Sequence, residues 1–286
     1  MSQGKRTSAQ RPVRVGLKLS QGVPIEVFRR VWRIADEAGF DHCWAFDHLA
    51  SLDSQGQPRS LFDGWSLVSA MAVTTKRVRI GLLVSGMLYR HPALLAKIAI
   101  TADHLSGGRL EFGIGAGFAK NERAMYAIDD RNPVARFKEG LDVVELLWSG
   151  ERVSYDGEYF QLKDAITAPT PVQKPRPPIW IGAGGPRMLR LTAERADFWN
   201  PSDGDLDAAV KAGRQLRRLC EEAGRNPNAV GWCTQLEFDG RGVDAVIREG
   251  EKWRAAGFTE LVVYLSGEDP VAAAAVAAES ILPALR

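Results

Sequence analysis

The chain has 286 residues, 45% apolar and 25% charged, a balance that excludes a disordered, collagen-like or disulfide-scaffold protein. With 37 basic against 35 acidic residues, the net charge of +2 gives no bulk attraction to nucleic acid or to an anionic membrane. Three scattered cysteines, Cys43, Cys220 and Cys233, lack metal-ligand spacing and read as those of a reduced, cytoplasmic protein. No run of about 18 apolar residues offers a membrane span. Residues 1–12 are polar and basic, unlike a secretory signal, and read as a flexible tail.

From there short β-branched runs alternate with amphipathic stretches. Residues 13–19 read as a strand and 24–38 as a helix, with Pro24 near its first turn and Gly39 just past its end. A strand at 41–46, a polar loop at 47–63 and a helix at 64–75 follow. Strand 78–84 leads to helix 92–105, and strand 109–114 to a helix at 133–148. The rhythm then breaks. Asp156-Gly157 between apolar alternations signals a hairpin, and five prolines fall within residues 168–178. This reads as an insertion, about residues 150–178, laid over one end of the domain. Strands at 179–181, 197–200, 229–238 and 260–265 then alternate with helices at 186–196, 206–223, 243–256 and 270–285. Eight βα units in one chain of this length predict a (β/α)8 TIM barrel over residues 13–286, with the insertion after the fourth helix. An open doubly wound sheet is the competing architecture.

In a barrel, chemistry gathers at the C-terminal ends of the strands. After the second strand stand Asp47 and His48. The imidazole suits proton exchange near neutral pH, and Asp47 can accept a hydrogen bond; the plainer reading is a polar strand cap. Ser85-Gly86 follows the third strand and alone suggests no more than a turn. His91 reads as a loop or packing residue. After the fourth strand come Gly115, Ala116, Gly117 and Phe118, then Asn121. The spacing lacks the last glycine of a dinucleotide fingerprint, so it reads as a strand end that a flat ligand can approach closely. After the fifth strand, Gly182, Ala183, Gly184, Gly185 and Pro186 run into a helix. Helix N-termini bind phosphate, although an ordinary helix start is equally compatible. Arg187 and Arg190 stand nearby. Of the eight tryptophans, most read as core, and Trp232 is the candidate for the barrel mouth. No Ser-His-Asp arrangement or HExxH motif is visible.

Four stretches, residues 40–49 (FDHCWAFDHL), 77–122 (ending EFGIGAGFAKNE), 139–162 and 177–200 (with WIGAGGP), together resemble the luciferase-like flavin and deazaflavin oxidoreductases. The likeness runs from about residue 14 to 200, with a weaker tail to 286. It is strongest to the branch that uses coenzyme F420. The resemblance implies a luciferase-like barrel in which His48 acts as general acid/base beside the reacting carbon of F420, and Asp47 pairs with it. It implies a bulge with a non-proline cis peptide at Ser85-Gly86 backing the ring. It also implies cofactor contacts from Gly115, Ala116, Gly117 and Asn121, with Gly182 beside them, and a phosphate loop at Ala183, Gly184, Gly185 and Pro186.

Two departures stand out. Phe118 occupies the place of an acidic Glu, and the acidic run at 201–205 replaces a phosphate-binding lysine, both seen in the sugar-phosphate dehydrogenases of that branch. A sugar phosphate is therefore not the expected substrate. The expected activity is hydride transfer between F420 and a small organic molecule. The competing readings are an FMN-dependent two-component monooxygenase and a cofactor-binding paralogue without turnover. A homodimer is an expectation carried by the resemblance alone.

Overall fold

Every second residue of β1 (Arg14–Leu19) turns inward: Val15, Leu17 and Leu19 are buried in the core cluster beneath the helices, while Arg14, Gly16 and Lys18 face the barrel axis. The same alternation runs through β2 (His42–Ala45), β3 (Arg79–Leu82), β4 (Leu110–Gly115), β5 (Ile179–Ala183), β6 (Phe198–Pro201), β7 (Gly231–Phe238) and β8 (Glu260–Leu265). Each strand pairs in parallel with the next, and β8 pairs with β1 from Arg14↔Glu260 to Leu19↔Leu265. The sheet is therefore closed, which rules out the doubly wound alternative. The computed structural model describes residues 11–286 apart from 53, 118 and 203. The tail expected at 1–12 thus lies mostly outside the described residues. Arg11 donates to the carbonyl of Ala229 and lies 5.1 Å from the Phe198 ring centre.

The helices follow their sequence signals. In α1 (Ile25–Ala38), Phe28, Val31, Trp32 and Ala35 form one buried stripe. Gly39 stops it at φ 83°, a conformation that glycine adopts without strain, and its N–H returns to the carbonyl of Ala35. Asp63 caps α2 (Gly64–Thr74) through Ser66 N–H at 2.7 Å. His91 caps α3 (Pro92–Ser106), accepting from Ala93 N–H at 3.2 Å. Then come α4 (Pro133–Trp148), α5 (Pro186–Arg195), α6 (Leu206–Glu222), α7 (Val243–Ala255) and α8 (Pro270–Val276). The last helix does not run evenly to 285. It widens into a π segment at Ala277–Ile281 before Leu282–Leu285. Pro283 has no N–H to give the ladder, and its ring crowds the preceding turn.

The insertion is a hairpin, Val153–Asp156 against Gln161–Ala165, followed by the proline-rich crossing. Asp103 of α3 pins that crossing, accepting from the backbone of Val172 and Gln173 and from the Gln173 amide. The 47–63 segment is not wholly irregular, because Ser51–Leu52 pairs with Pro58–Arg59. No helix among the described residues is long and apolar enough to cross a membrane.

The lower barrel is filled. Buried Glu111, Glu260 and His42, capped by the partly exposed Arg14 and Arg79, form a polar layer at the N-terminal end. Above it Trp44, Trp180, Phe198, Cys233 and Val262 make an aromatic plug, with Trp180 stacked on Phe198 at 4.3 Å. Trp232 does not reach the mouth. It points outward and is buried against Trp199 and Phe258. The plug leaves only the upper barrel for chemistry.

Candidate active site

The chain leaves β2 at Phe46, whose N–H donates to the buried Gln21 side chain. Asp47 follows and is 3% exposed. It accepts from both Nη atoms of Arg90 at 2.6 and 2.9 Å, from Ser85 Oγ at 2.6 Å and from Gly86 N–H at 3.3 Å. Burial pushes its carboxyl up, against the Arg90, Ser85 and Gly86 donors that favour the ionised form. Arg90 also reaches Asp63 at 2.8 Å, tying the loops after β2 and β3 together. Asp47 is thus a brace whose oxygens are turned to protein donors.

His48 is the exposed member of the pair, with 46% of its side chain accessible. Its Nδ1 lies 2.6 Å from Oε1 of Glu122, which is 2% exposed. Glu122 also accepts from Leu49 N–H at 3.0 Å and Tyr89 Oη at 2.8 Å. Burial and the Glu122 carboxylate push the Tyr89 phenol up, which keeps it a donor. A carboxylate with no hydrogen to give fixes the imidazole tautomer with Nδ1–H toward Glu122. Nε2 then carries the free lone pair, and no described residue bonds to it.

Glu122 was not legible as a partner for His48. It sits on a short helix, Lys120–Met125, that the sequence does not announce. Asn121 on the same helix is exposed. The neighbouring Arg123 donates to Gly117 O at 3.0 Å, holding the turn after β4 where Gly117 takes φ 87°. Phe118 lies outside the described residues, as does Asp203 of the acidic run.

The bulge after β3 is displaced from its expected place. Gly81 pairs with Glu111, and Ser85 pairs with Ile114. Four steps on one strand face three on the other, so one extra residue is accommodated between them. The non-proline cis peptide is Leu83–Val84, two residues before Ser85-Gly86. Ser85 itself is fully buried, bonded to Asp47 and Trp65. Val84 takes the position facing the axis. A Cβ added at Gly115 or at Gly182 would stand 3.0 Å from its Cγ2. The floor of the mouth is therefore Val84 between two bare backbone strands.

Beside this floor the 182–186 loop enters α5. Trp199 Nε1–H holds Ala183 O at 2.9 Å, and Gly184 packs on Ser202. Gly185 is the N-cap, has no capping side chain, and a Cβ there would meet no described residue within 4 Å. These uncapped amides at the positive end of a helix suit a phosphate. A flat ring with a phosphate-bearing arm fits this combination of glycine-lined floor, exposed imidazole and open helix N-terminus.

The family model described as luciferase-like monooxygenase matches residues 9–238. Among curated proteins, a phthiodiolone/phenolphthiodiolone dimycocerosates ketoreductase of Mycobacterium kansasii is 33% identical over 218 residues, 67% of this chain and 57% of the relative. An F420-dependent hydroxymycolic acid dehydrogenase of Mycobacterium tuberculosis is 34% identical over 232 residues, 77% of this chain and 61% of the relative. The chain thus spans less than two thirds of the length of these relatives. An F420-dependent secondary alcohol dehydrogenase, solved with an F420-acetone adduct, superposes with a TM-score of 0.85 at 18% identity. It covers 96% of this chain and 100% of its own. The coenzyme F420-dependent tetrahydromethanopterin reductase of Methanopyrus kandleri gives 0.83, also at 18% and with the same coverage. These structures share the fold.

Proposed function

Because the chain belongs to the luciferase-like monooxygenase family, we propose that it is an F420-dependent oxidoreductase exchanging a hydride with a small organic substrate. The observation that carries the reading is the His48–Glu122 dyad at the mouth, with Nε2 of His48 free. The names of the mycobacterial dehydrogenase and of the two structural neighbours support the choice of cofactor.

When bound, F420 supplies a carrier that gives or takes two electrons as hydride. Val84, Gly115 and Gly182 would support its ring, and Gly184, Gly185 and Pro186 its phosphate. Ala116 and Gly117 line the approach. Asp47 and Arg90 hold the loops that frame the site. His48 Nε2 takes the proton from an alcohol oxygen as that carbon is oxidised, or returns it to a carbonyl oxygen in the reverse direction. Glu122 keeps the ring oriented and places a countercharge beside it while it carries the proton. Such general acid/base catalysis contributes about 10²–10⁴-fold.

The family description also names monooxygenases, and the helix N-terminus suits the phosphate of FMN as well. A fluorescence titration with each cofactor separates the readings. Tight F420 and weak FMN binding supports the proposal, with F420-linked absorbance changes on alcohols and ketones as the next step. Preference for FMN, with oxygen uptake on its reduction, replaces it by the monooxygenase reading. F420 binding without turnover across a broad panel replaces it by the inactive paralogue.

A further inference from the structure

The two inward cations of β1 meet different fates. Arg14, at the closed end of the barrel, is answered by Glu111 and Glu260. Lys18, at the open end, is 9% exposed and forms no ion pair among the described residues. Its Nζ donates to Oε1 of Gln235 at 2.7 Å, and lies 5.3 Å from the Phe46 ring centre and 5.0 Å from that of Tyr264. The carboxylates of the neighbouring elements form no ion pair with it among the described residues. Asp47 is taken by Arg90, and Glu237, one inward position beyond Gln235 on β7, is exposed and unpaired with it. An ammonium has three hydrogens to give, and one is used. Burial pushes Lys18 down to about 8. The two rings return only part of what its desolvation costs.

The surroundings are those of a recognition point. Gln235 is exposed to the mouth and its amide reaches Asn200 Oδ1 at 3.4 Å. The Phe46 ring that covers Lys18 packs edge-on against His48 at 5.5 Å. An anion at Nζ would therefore sit one aromatic ring away from the proton-handling imidazole.

We propose that Lys18, with Gln235 beside it, receives a carboxylate of the substrate, so that the protein acts on an organic acid whose reacting carbon lies toward His48. The step is binding alone, an ammonium–carboxylate contact replacing water. It rests on the oxidoreductase reading for the statement that the acid is a substrate.

The test is calorimetric titration of acetate, hexanoate and benzoate, each against its neutral amide, into the full chain with and without F420. The wild type is expected to prefer at least one acid over its amide by about tenfold or more. Lys18→Arg keeps the preference, and Lys18→Met loses it with F420 affinity unchanged. Gln235→Glu alters an exposed side chain, sets a carboxylate against Nζ and removes the preference by occupying the site. It therefore decides the matter even if Lys18→Met does not fold. The proposal is overturned if the wild type shows no preference, if the preference survives in Lys18→Met or Gln235→Glu, or if Lys18→Met weakens F420 itself, which would assign the ammonium to the cofactor. If the wild type binds no F420, the oxidoreductase reading fails, while the comparison of acid with amide on the protein alone still decides the subsite.

Discussion

His48 and Glu122 come from segments 74 residues apart, and the 2.6 Å contact between them orients the one exposed imidazole at the end of β2. Glu122→Gln reverses the contact. Its amide nitrogen would face Nδ1, so the ring would have to carry its hydrogen on Nε2 and present no lone pair to the mouth. Turnover in the F420-linked assay should fall by about 10²-fold, close to the loss from His48→Ala, with cofactor affinity nearly unchanged. An equal fall in affinity would mean that Glu122 supports the cofactor pocket and not the imidazole.

At the start of α5 the prediction separates stability from binding. Gly185 has φ −81° and ψ 156°, an extended conformation open to any residue, and a Cβ there would meet none of the described residues within 4 Å. Gly185→Asp therefore supplies an N-cap, neutral to slightly stabilising, by a few tenths of a kcal/mol. The same carboxylate stands where a phosphate would bind. Affinity for either F420 or FMN should drop by about tenfold or more while the melting temperature holds or rises. Undiminished affinity in the fluorescence titration would remove the phosphate from this loop.

The barrel itself was legible because its signals are local. Period-2 runs, Pro at helix starts and Gly at helix ends put α4 at its observed bounds and α1 to α3 and α5 to α7 within a residue or two, while the π segment that interrupts the last helix and the short helix Lys120–Met125 carry no such signal. Asp156-Gly157 likewise marks the hairpin turn, closed by Gly157 N–H to Phe160 O. The candidate site was legible only where a family pattern names its residues. Glu122, Arg90 and Lys18 act through partners brought near by barrel closure, which no spacing in the chain encodes. The bulge was misplaced by two residues for the same reason: its position is set by the register with β4, from Gly81↔Glu111 to Ser85↔Ile114.

The closed end of the barrel makes a demand on sequence that is steric. A Cβ at Gly16 would stand 1.8 Å from Nδ1 of His42, a fully buried ring. That ring is fixed on both sides, accepting from Trp44 Nε1–H at 2.7 Å and lying 3.2 Å from Glu260. Burial holds His42 down to about 3, so it stays neutral within the layer. Gly16→Ala should destabilise by about 3 kcal/mol or more, as overpacking against an immobile group does. Urea unfolding measures it, and a loss under about 1 kcal/mol would show that the layer can shift.

Lys18 adds a pH dependence that can be read without any ligand. Its folded-state pKa of about 8 lies below the ordinary 10.5. Below pH 8 both folded and unfolded chains carry the proton, and the folded chain bears the full cost of a buried cation. Between pH 8 and 10.5 the unfolded chain holds more protons than the folded one, so this contribution to stability rises with pH until the cost is gone. Lys18→Met removes the charge and keeps the length. The variant should be more stable than the wild type at pH 7, and the gain should shrink by on the order of 2 kcal/mol at pH 10. Comparing the two proteins at each pH cancels the titrating groups that Lys18 does not influence, and the buried Cys233 thiol beside it, pushed well up by burial, stays neutral across this range. A gain that is the same at both values would mean that Lys18 reaches solvent and titrates as an ordinary surface lysine.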